Sequence, residues 1–217
     1  MENLNIILRS PLFKNIDQEN LDELLQVLNS SKKNYKKGEI IFSAGFTTQK
    51  FCLVLCGKIQ IENNDFWGNK TILNCIFCGQ IFAETYALNP DEPLMVDAIA
   101  LEESSVLFLD IQNFLRNQKN DITSQTFMKN FLFACAKKNL ELSKKINCIS
   151  PKKIRDRIIS YLSGIALKTG NKTFEINFDR QQLADYLNVD RSALSSELSK
   201  MKADNLIDFN KNKFTLK

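Results

Sequence analysis

The stretch Phe178-Asp179-Arg180-Gln181-Gln182-Leu183-Ala184-Asp185-Tyr186-Leu187-Asn188-Val189-Asp190-Arg191-Ser192-Ala193-Leu194 decides the reading of the chain. Asp179 is placed to cap a first helix, and Gln182, three residues on, to return the hydrogen bond as in a capping box. Leu183, Ala184 and Leu187 then share one face. Small Ala184 lets a second helix cross closely, Asn188 suits the left-handed conformation of a tight turn, and Asp190 is placed to cap the helix that follows. This spacing predicts a helix-turn-helix.

In the second helix, over residues 190–203, Leu194, Leu198 and Met201 point inward. Arg191, Ser192, Ser195, Ser196 and Ser199 fall on the opposite face, with Lys200 beside them. That face suits the major groove of DNA: Arg191, in the first turn, can donate a bidentate pair to guanine, and serine hydroxyls serve bases or phosphates without bulk. The bland alternative is a solvated face on a protein-binding domain, but serine is a mediocre helix former and its repetition here asks for a reason. After Asn205, the alternating run Leu206-Ile207-Asp208-Phe209, the turn Asn210-Lys211-Asn212 and the run Lys213-Phe214-Thr215-Leu216 predict a two-stranded wing. Lys211 and Lys213 there suit phosphate. Arg180 and Gln181, at the start of the first helix, and Asp190 complete the expected DNA-facing set.

Moving toward the amino terminus, Ser150 is placed to cap a helix with Pro151 at its first position, and Ile154, Ile158, Tyr161, Leu162 and Ile165 give that helix a core face. Before it, Met128, Leu132, Cys135, Asn139, Leu142, Ile146 and Ile149 follow the alternating four- and three-residue spacing of a heptad seam, with Lys137, Lys138, Glu141, Lys144 and Lys145 outside it. The reading is one strand of a parallel coiled coil, in which Asn139 fixes register. An amphipathic helix packed on its own domain is the alternative. Still earlier, short apolar runs at residues 40–42, 51–56, 58–62, 71–77, 96–100 and 106–109 are punctuated by Gly38, Gly45, Gly57, Gly68 and Gly79. This pattern predicts a β-barrel or jelly roll. A short helix capped by Asp17, with Leu21, Leu24, Leu25 and Leu28 on one face, precedes it.

Composition narrows the function classes. The 217 residues include no histidine, which removes the commonest general base and the commonest metal ligand and counts against an enzyme. From Ser150 onward 13 Lys and Arg face 8 Asp and Glu, whereas the preceding residues carry 16 against 17. The basic excess therefore sits where phosphate contact is expected. No apolar run approaches the roughly 20 residues of a membrane helix, so a cytoplasmic protein without membrane contact is expected. In that compartment the six cysteines are expected as thiols.

Across nearly the whole chain the residues resemble the Crp/Fnr superfamily of bacterial transcriptional regulators. The resemblance is carried by Ser10-Pro11-Leu12-Phe13, by Lys37-Gly38-Glu39-Ile40-Ile41-Phe42-Ser43-Ala44-Gly45, by the Gly57 and Gly79 turns, and by Arg180-Gln181-Gln182-Leu183-Ala184 with Val189-Asp190-Arg191-Ser192. It implies an α+β chain in three parts. These are a cyclic-nucleotide-binding-like effector-sensing β-barrel (jelly roll) over residues 1–122, a long dimerisation helix over 123–149, and a winged helix-turn-helix over 150–217. It implies a homodimer on a palindromic operator in double-stranded DNA, contact with RNA polymerase, and no enzymatic activity. It also implies an effector pocket beside the long helix, which we assign to Phe82, Glu84, Leu94, Met95, Asp97, Leu132 and Cys135.

The chain departs from its relatives twice. Cyclic-AMP-binding members hold the cyclic phosphate with a Gly-Glu-Leu turn and a later Arg-Ser; here the matching residues are Ala83-Glu84-Thr85 and Leu94-Met95, followed by Val96 and acidic Asp97. The expected effector is therefore an unidentified small molecule other than cyclic AMP, and a barrel with no effector is the alternative. Ser196 stands where many relatives have arginine, so their operator cannot be transferred.

Cys52, Cys56, Cys75 and Cys78 raise a zinc or iron-sulfur reading. Strand alternation puts Cys52 and Cys56 on one face but Cys75 and Cys78 on opposite faces unless the Gly79 turn begins early. The cluster-binding fumarate-nitrate regulators place most ligands in an amino-terminal extension, and no cysteine precedes Cys52. No metal or cofactor is expected; ordinary buried cysteines and a redox-sensing thiol stay open. The remaining competitor to a transcription factor is a barrel-fold ligand-binding protein or metalloenzyme.

Overall fold

The computed structural model describes residues 2–64 and 70–217; Gly68 of the predicted turns lies outside them. Two compact units, Met1–Ala136 and Lys137–Lys217, divide the chain. The division falls inside one continuous helix.

In the first unit α1 (Glu2–Arg9), a 3-10 turn (Pro11–Phe13) and α2 (Gln18–Val27) lead into eight strands: β1 (Ser31–Tyr35), β2 (Ile40–Phe42), β3 (Lys50–Cys56), β4 (Lys58–Asn64), β5 (Lys70–Phe77), β6 (Ile81–Phe82), β7 (Asp97–Ala100) and β8 (Ser104–Asp110). Helix α3 (Glu84–Leu88) interrupts the strands, and α4 (Ile111–Asn117) follows them. The strands form two four-stranded sheets, ordered β1-β8-β3-β6 and β2-β7-β4-β5. The architecture is the expected jelly roll, built as two sheets rather than one closed barrel.

Alternation along β3 and β8 explains how the sheets are buried. Cys52, Val54, Val106 and Phe108 pack with Ile59, Ile76, Phe82, Ala98 and Ala100 in one core. Phe51, Leu53, Leu55, Leu107 and Leu109 pack in a second core with residues of α1, α2, α4 and the start of α5 (Ile122–Ile149). There Phe114 and Phe127 meet with ring centroids 4.8 Å apart, and Phe51 and Phe131 at 5.0 Å. Each fully buried phenylalanine contributes about 1.5–3 kcal/mol of transfer free energy. A register shift between Val54 and Cys56 breaks the alternation: Cys52 is buried, whereas Cys56 is exposed at the strand end. The two cysteines therefore do not share a face, as unbroken alternation would require. At the next residue, Gly57 has φ +85°, and a Cβ there would lie 2.6 Å from the Glu103 carbonyl oxygen, so only glycine fits the turn.

Helix α5 begins where Asp121 Oδ1 accepts from the Ser124 amide at 2.7 Å. Its last part belongs to the second unit. The sequence predicts the next helix from Ser150 and Pro151, but α6 (Ile154–Thr169) starts later, with Lys153 at its N-cap. Ser150 instead turns its hydroxyl back to the Ile146 carbonyl at 2.7 Å and closes α5. A bend over residues 151–153 joins the helices. Then come β9 (Thr173–Glu175), α7 (Arg180–Leu187), α8 (Arg191–Ala203), β10 (Ile207–Asn210) and β11 (Lys213–Leu216). The wing is three-stranded, ordered β10-β11-β9, because Phe174 pairs with Phe214 and brings a strand from before α7 that the two-run sequence pattern did not reveal.

Candidate nucleic-acid interface

Helix α7 carries the predicted capping box in full. Asp179 Oδ1 accepts from the Gln182 amide at 2.8 Å, and Gln182 Oε1 accepts from the Asp179 amide at 2.9 Å. Asn188 closes the helix at φ 53°, ψ 56°. Leu183, Ala184, Leu187, Leu194, Leu198 and Met201 form one buried cluster with Ile158 and Leu162 of α6. Asp190 occupies the N-cap of α8, but its side chain makes no capping bond there, unlike the predicted cap. Its carboxylate is left at the exposed start of the helix.

Most of the residues expected to face DNA are exposed. Arg191, Ser192, Ser196, Ser199 and Lys200 are exposed, as are Lys211 and Lys213 of the wing. Ser195 is half-buried and donates to the Arg191 carbonyl at 2.9 Å; Ser199 donates to the Ser195 carbonyl at 3.0 Å. Both hydroxyls keep lone pairs for an incoming donor. Gln181 donates to Asp185 Oδ1 at 2.8 Å, which holds its amide along α7. Arg180 lies over the Phe209 and Phe214 rings, 5.2 and 5.9 Å from their centroids, and so ties α7 to the wing. Burial, and then the neighbouring Arg191, lower its pKa; the guanidinium still stays charged at neutral pH.

Two arginines that sequence reasoning missed hold this surface from behind. Arg155 Nε donates to Glu197 Oε1 at 2.6 Å, and its Nη1 pairs with Asp204 Oδ2 at 2.7 Å, fastening α6 to the back of α8. Arg157 Nε donates to the Pro151 carbonyl at 2.7 Å, and its Nη1 to the carbonyls of Leu187 and Asn188 at 3.1 and 2.9 Å. One guanidinium thus joins the bend after α5 to the turn between α7 and α8. Neither shows in the sequence, because their partners are distant in the chain or are backbone oxygens.

In the first unit, the residues assigned to an effector pocket are unevenly placed. Phe82 packs in the core between the sheets, and Leu94 and Glu84 are buried. Met95 is 72% exposed, in the bend that leads into β7. Leu132 is exposed and Cys135 half-buried on α5. Asp97 Oδ1 accepts from the Ala44 amide at 2.7 Å and its Oδ2 from Asn64 Nδ2 at 2.9 Å, so its carboxylate is engaged by neutral donors. Beside it in the same sheet, Gln60 donates to buried Glu62 at 2.5 Å. The sequence reading passed over this polar pair because Ile59 and Ile61 alternate with it along β4. Among the described residues no group of three or more histidine, cysteine, aspartate and glutamate side chains is arranged to hold a metal, and no helix is long and apolar enough to cross a membrane.

The sequence matches the family described as "Cyclic nucleotide-binding domain" over residues 32–121 and that described as "Crp-like helix-turn-helix domain" over residues 156–217. The chain belongs to the Crp/Fnr family. Solved structures share its fold. The catabolite activator protein of Thermus thermophilus is 21% identical, with a TM-score of 0.56 over 96% of this chain and 94% of the other. A CooA mutant from Carboxydothermus hydrogenoformans is 17% identical, with a TM-score of 0.57 over 95% and 94%. The c-di-GMP responsive regulator CLP of Xanthomonas campestris is 15% identical, with a TM-score of 0.58 over 92% and 99%. No curated protein sequence matches the chain. As a Crp/Fnr-type protein, the chain is a DNA-binding transcriptional regulator with an effector-binding domain, not an enzyme.

Proposed function

We propose that this regulator works in the cytoplasm as a homodimer joined along α5, reads an inverted repeat with α8, and answers to a small molecule other than cyclic AMP. The observation that carries the reading is the exposed face of α8: Arg191 and a row of small hydroxyls, backed by Leu194, Leu198 and Met201 and held in place by Arg155. Arg191 donates to a guanine edge, the serines adapt to neighbouring bases, and Arg180, Lys211 and Lys213 supply charge for phosphate. Two such heads related by a two-fold axis call for half-sites one helical turn apart. RNA polymerase is the expected partner at promoters. Selection from random duplex DNA should return a palindrome; a non-palindromic or unselective pool would sink this reading.

For the effector, the argument is electrostatic. The seven side chains assigned to the pocket include Glu84 and Asp97 and no cation, and buried Glu62 lies across the strand from Asp97. Bringing a cyclic phosphate into an enclosed site lined by carboxylates sets like charges together away from water, which costs several kcal/mol. A neutral or weakly polar ligand does not meet that penalty. Titration calorimetry with cyclic AMP and cyclic GMP should give no saturable heat at low micromolar concentration; saturable binding coupled to tighter DNA binding would overturn the assignment.

A further inference from the structure

Two exposed thiols meet at one corner of the first unit. Cys56 ends β3, and Cys78 opens the turn that leads into β6. That turn is pinned to β3 by backbone bonds: the Gly79 amide donates to the Val54 carbonyl at 2.8 Å and the Val54 amide to the Gln80 carbonyl at 3.0 Å. Cys78 Sγ donates to the Leu55 carbonyl oxygen at 3.1 Å. That carbonyl is bonded to the Cys56 nitrogen, so the planar peptide brings the Cys78 sulfur within side-chain reach of Cys56. Slight burial, and then Cys56 nearby, raise the pKa of Cys78. Cys52 and Cys148, by contrast, are buried in separate cores.

We propose that Cys56 and Cys78 are a dithiol modification site that hydrogen peroxide converts to an intrachain disulfide. The thiolate of Cys56 attacks one peroxide oxygen; the O–O bond breaks, hydroxide leaves, and the sulfur is oxidised to a sulfenic acid. Cys78, deprotonated by solvent, attacks that sulfur; the S–S bond forms, the S–O bond breaks, and the departing hydroxide takes a proton to become water. In sum two thiols and one peroxide give one disulfide and two waters. The closed loop contains the β4–β5 hairpin, and the new bond fastens the turn preceding β6, the strand that carries Phe82. Thiol reductants reverse it by exchange.

The test uses the reduced full-length protein, treated with hydrogen peroxide, alkylated and digested without reductant. Mass spectrometry should find the Cys56 and Cys78 peptides joined within one chain, and free thiols should fall from the six present to four. Cys56→Ser and Cys78→Ser should each abolish the linked peptide, and the Cys78→Ser protein should instead capture dimedone at Cys56. Independent oxidation of the two cysteines, a disulfide between another pair, or a covalent dimer on a non-reducing gel would each overturn the proposal.

Discussion

Arg191 and Arg180 illustrate how two guanidiniums near each other can hold different roles. Arg180 spends its planar face on Phe209 and Phe214, which leaves it a structural tie with charge to spare for phosphate. Arg191 is exposed in the first turn of α8, free to direct its fork toward a base. Arg191→Ala should therefore lose about 1–3 kcal/mol of discrimination between the selected operator and single-base variants. Competition binding across a set of point-substituted duplexes measures this; equal discrimination by variant and parent would remove Arg191 from base reading.

At the scale of elements, α5 carries an apolar face that the single chain leaves uncovered. Leu132, Leu142 and Ile146 are 59%, 62% and 57% exposed, and Phe133 and Leu140 lie beside the same seam. Leu142→Lys with Ile146→Lys should yield monomers by sedimentation and abolish operator binding; a stable dimer in that variant would move the interface elsewhere. The bend after α5 makes a separate prediction. Arg157→Lys keeps the charge but not the fork that reaches three carbonyls, and losing about 1.5 kcal/mol of charge-assisted bonding weakens operator binding about tenfold. Because Arg157 bonds to backbone rather than phosphate, the slope of log affinity against log salt should not change, whereas removing a phosphate contact would lower it. The helix-turn-helix was legible in the sequence because its signals are local: a capping box, a left-handed Asn188 and a short apolar period. The third wing strand, the late start of α6 and the bulge before Cys56 were not, since each depends on partners remote in the chain. In the candidate pocket, the exposure of Met95 was not legible for a similar reason: residue type does not give the direction of a side chain in a bend.

On the scale of the whole molecule, the lack of histidine leaves few groups to titrate near neutrality, so the thermal midpoint should change little between about pH 6 and pH 8. Alkaline conditions differ. Burial raises Tyr35 and Tyr161 from 10.0 to about 12. Between these values the unfolded chain has lost protons that the folded chain keeps, so the unfolded state binds fewer protons and stability falls as pH rises. Thermal scans should show the decline beginning near pH 10, and Tyr161→Phe should flatten it; an unchanged slope in that variant would remove Tyr161 as a source. Strand order, finally, sets a timetable for synthesis. Among the described residues β1 pairs with β8 alone, Ser31 against Phe108 and Tyr35 against Ser104, so it leaves the ribosome long before its partner exists. Two edges of the strand's hydrogen-bonding groups stay open throughout that interval, a standing invitation to other nascent chains. Lys32, Lys33, Lys36 and Lys37 in and beside it place like charge along that open edge, a device that disfavours pairing with a second copy.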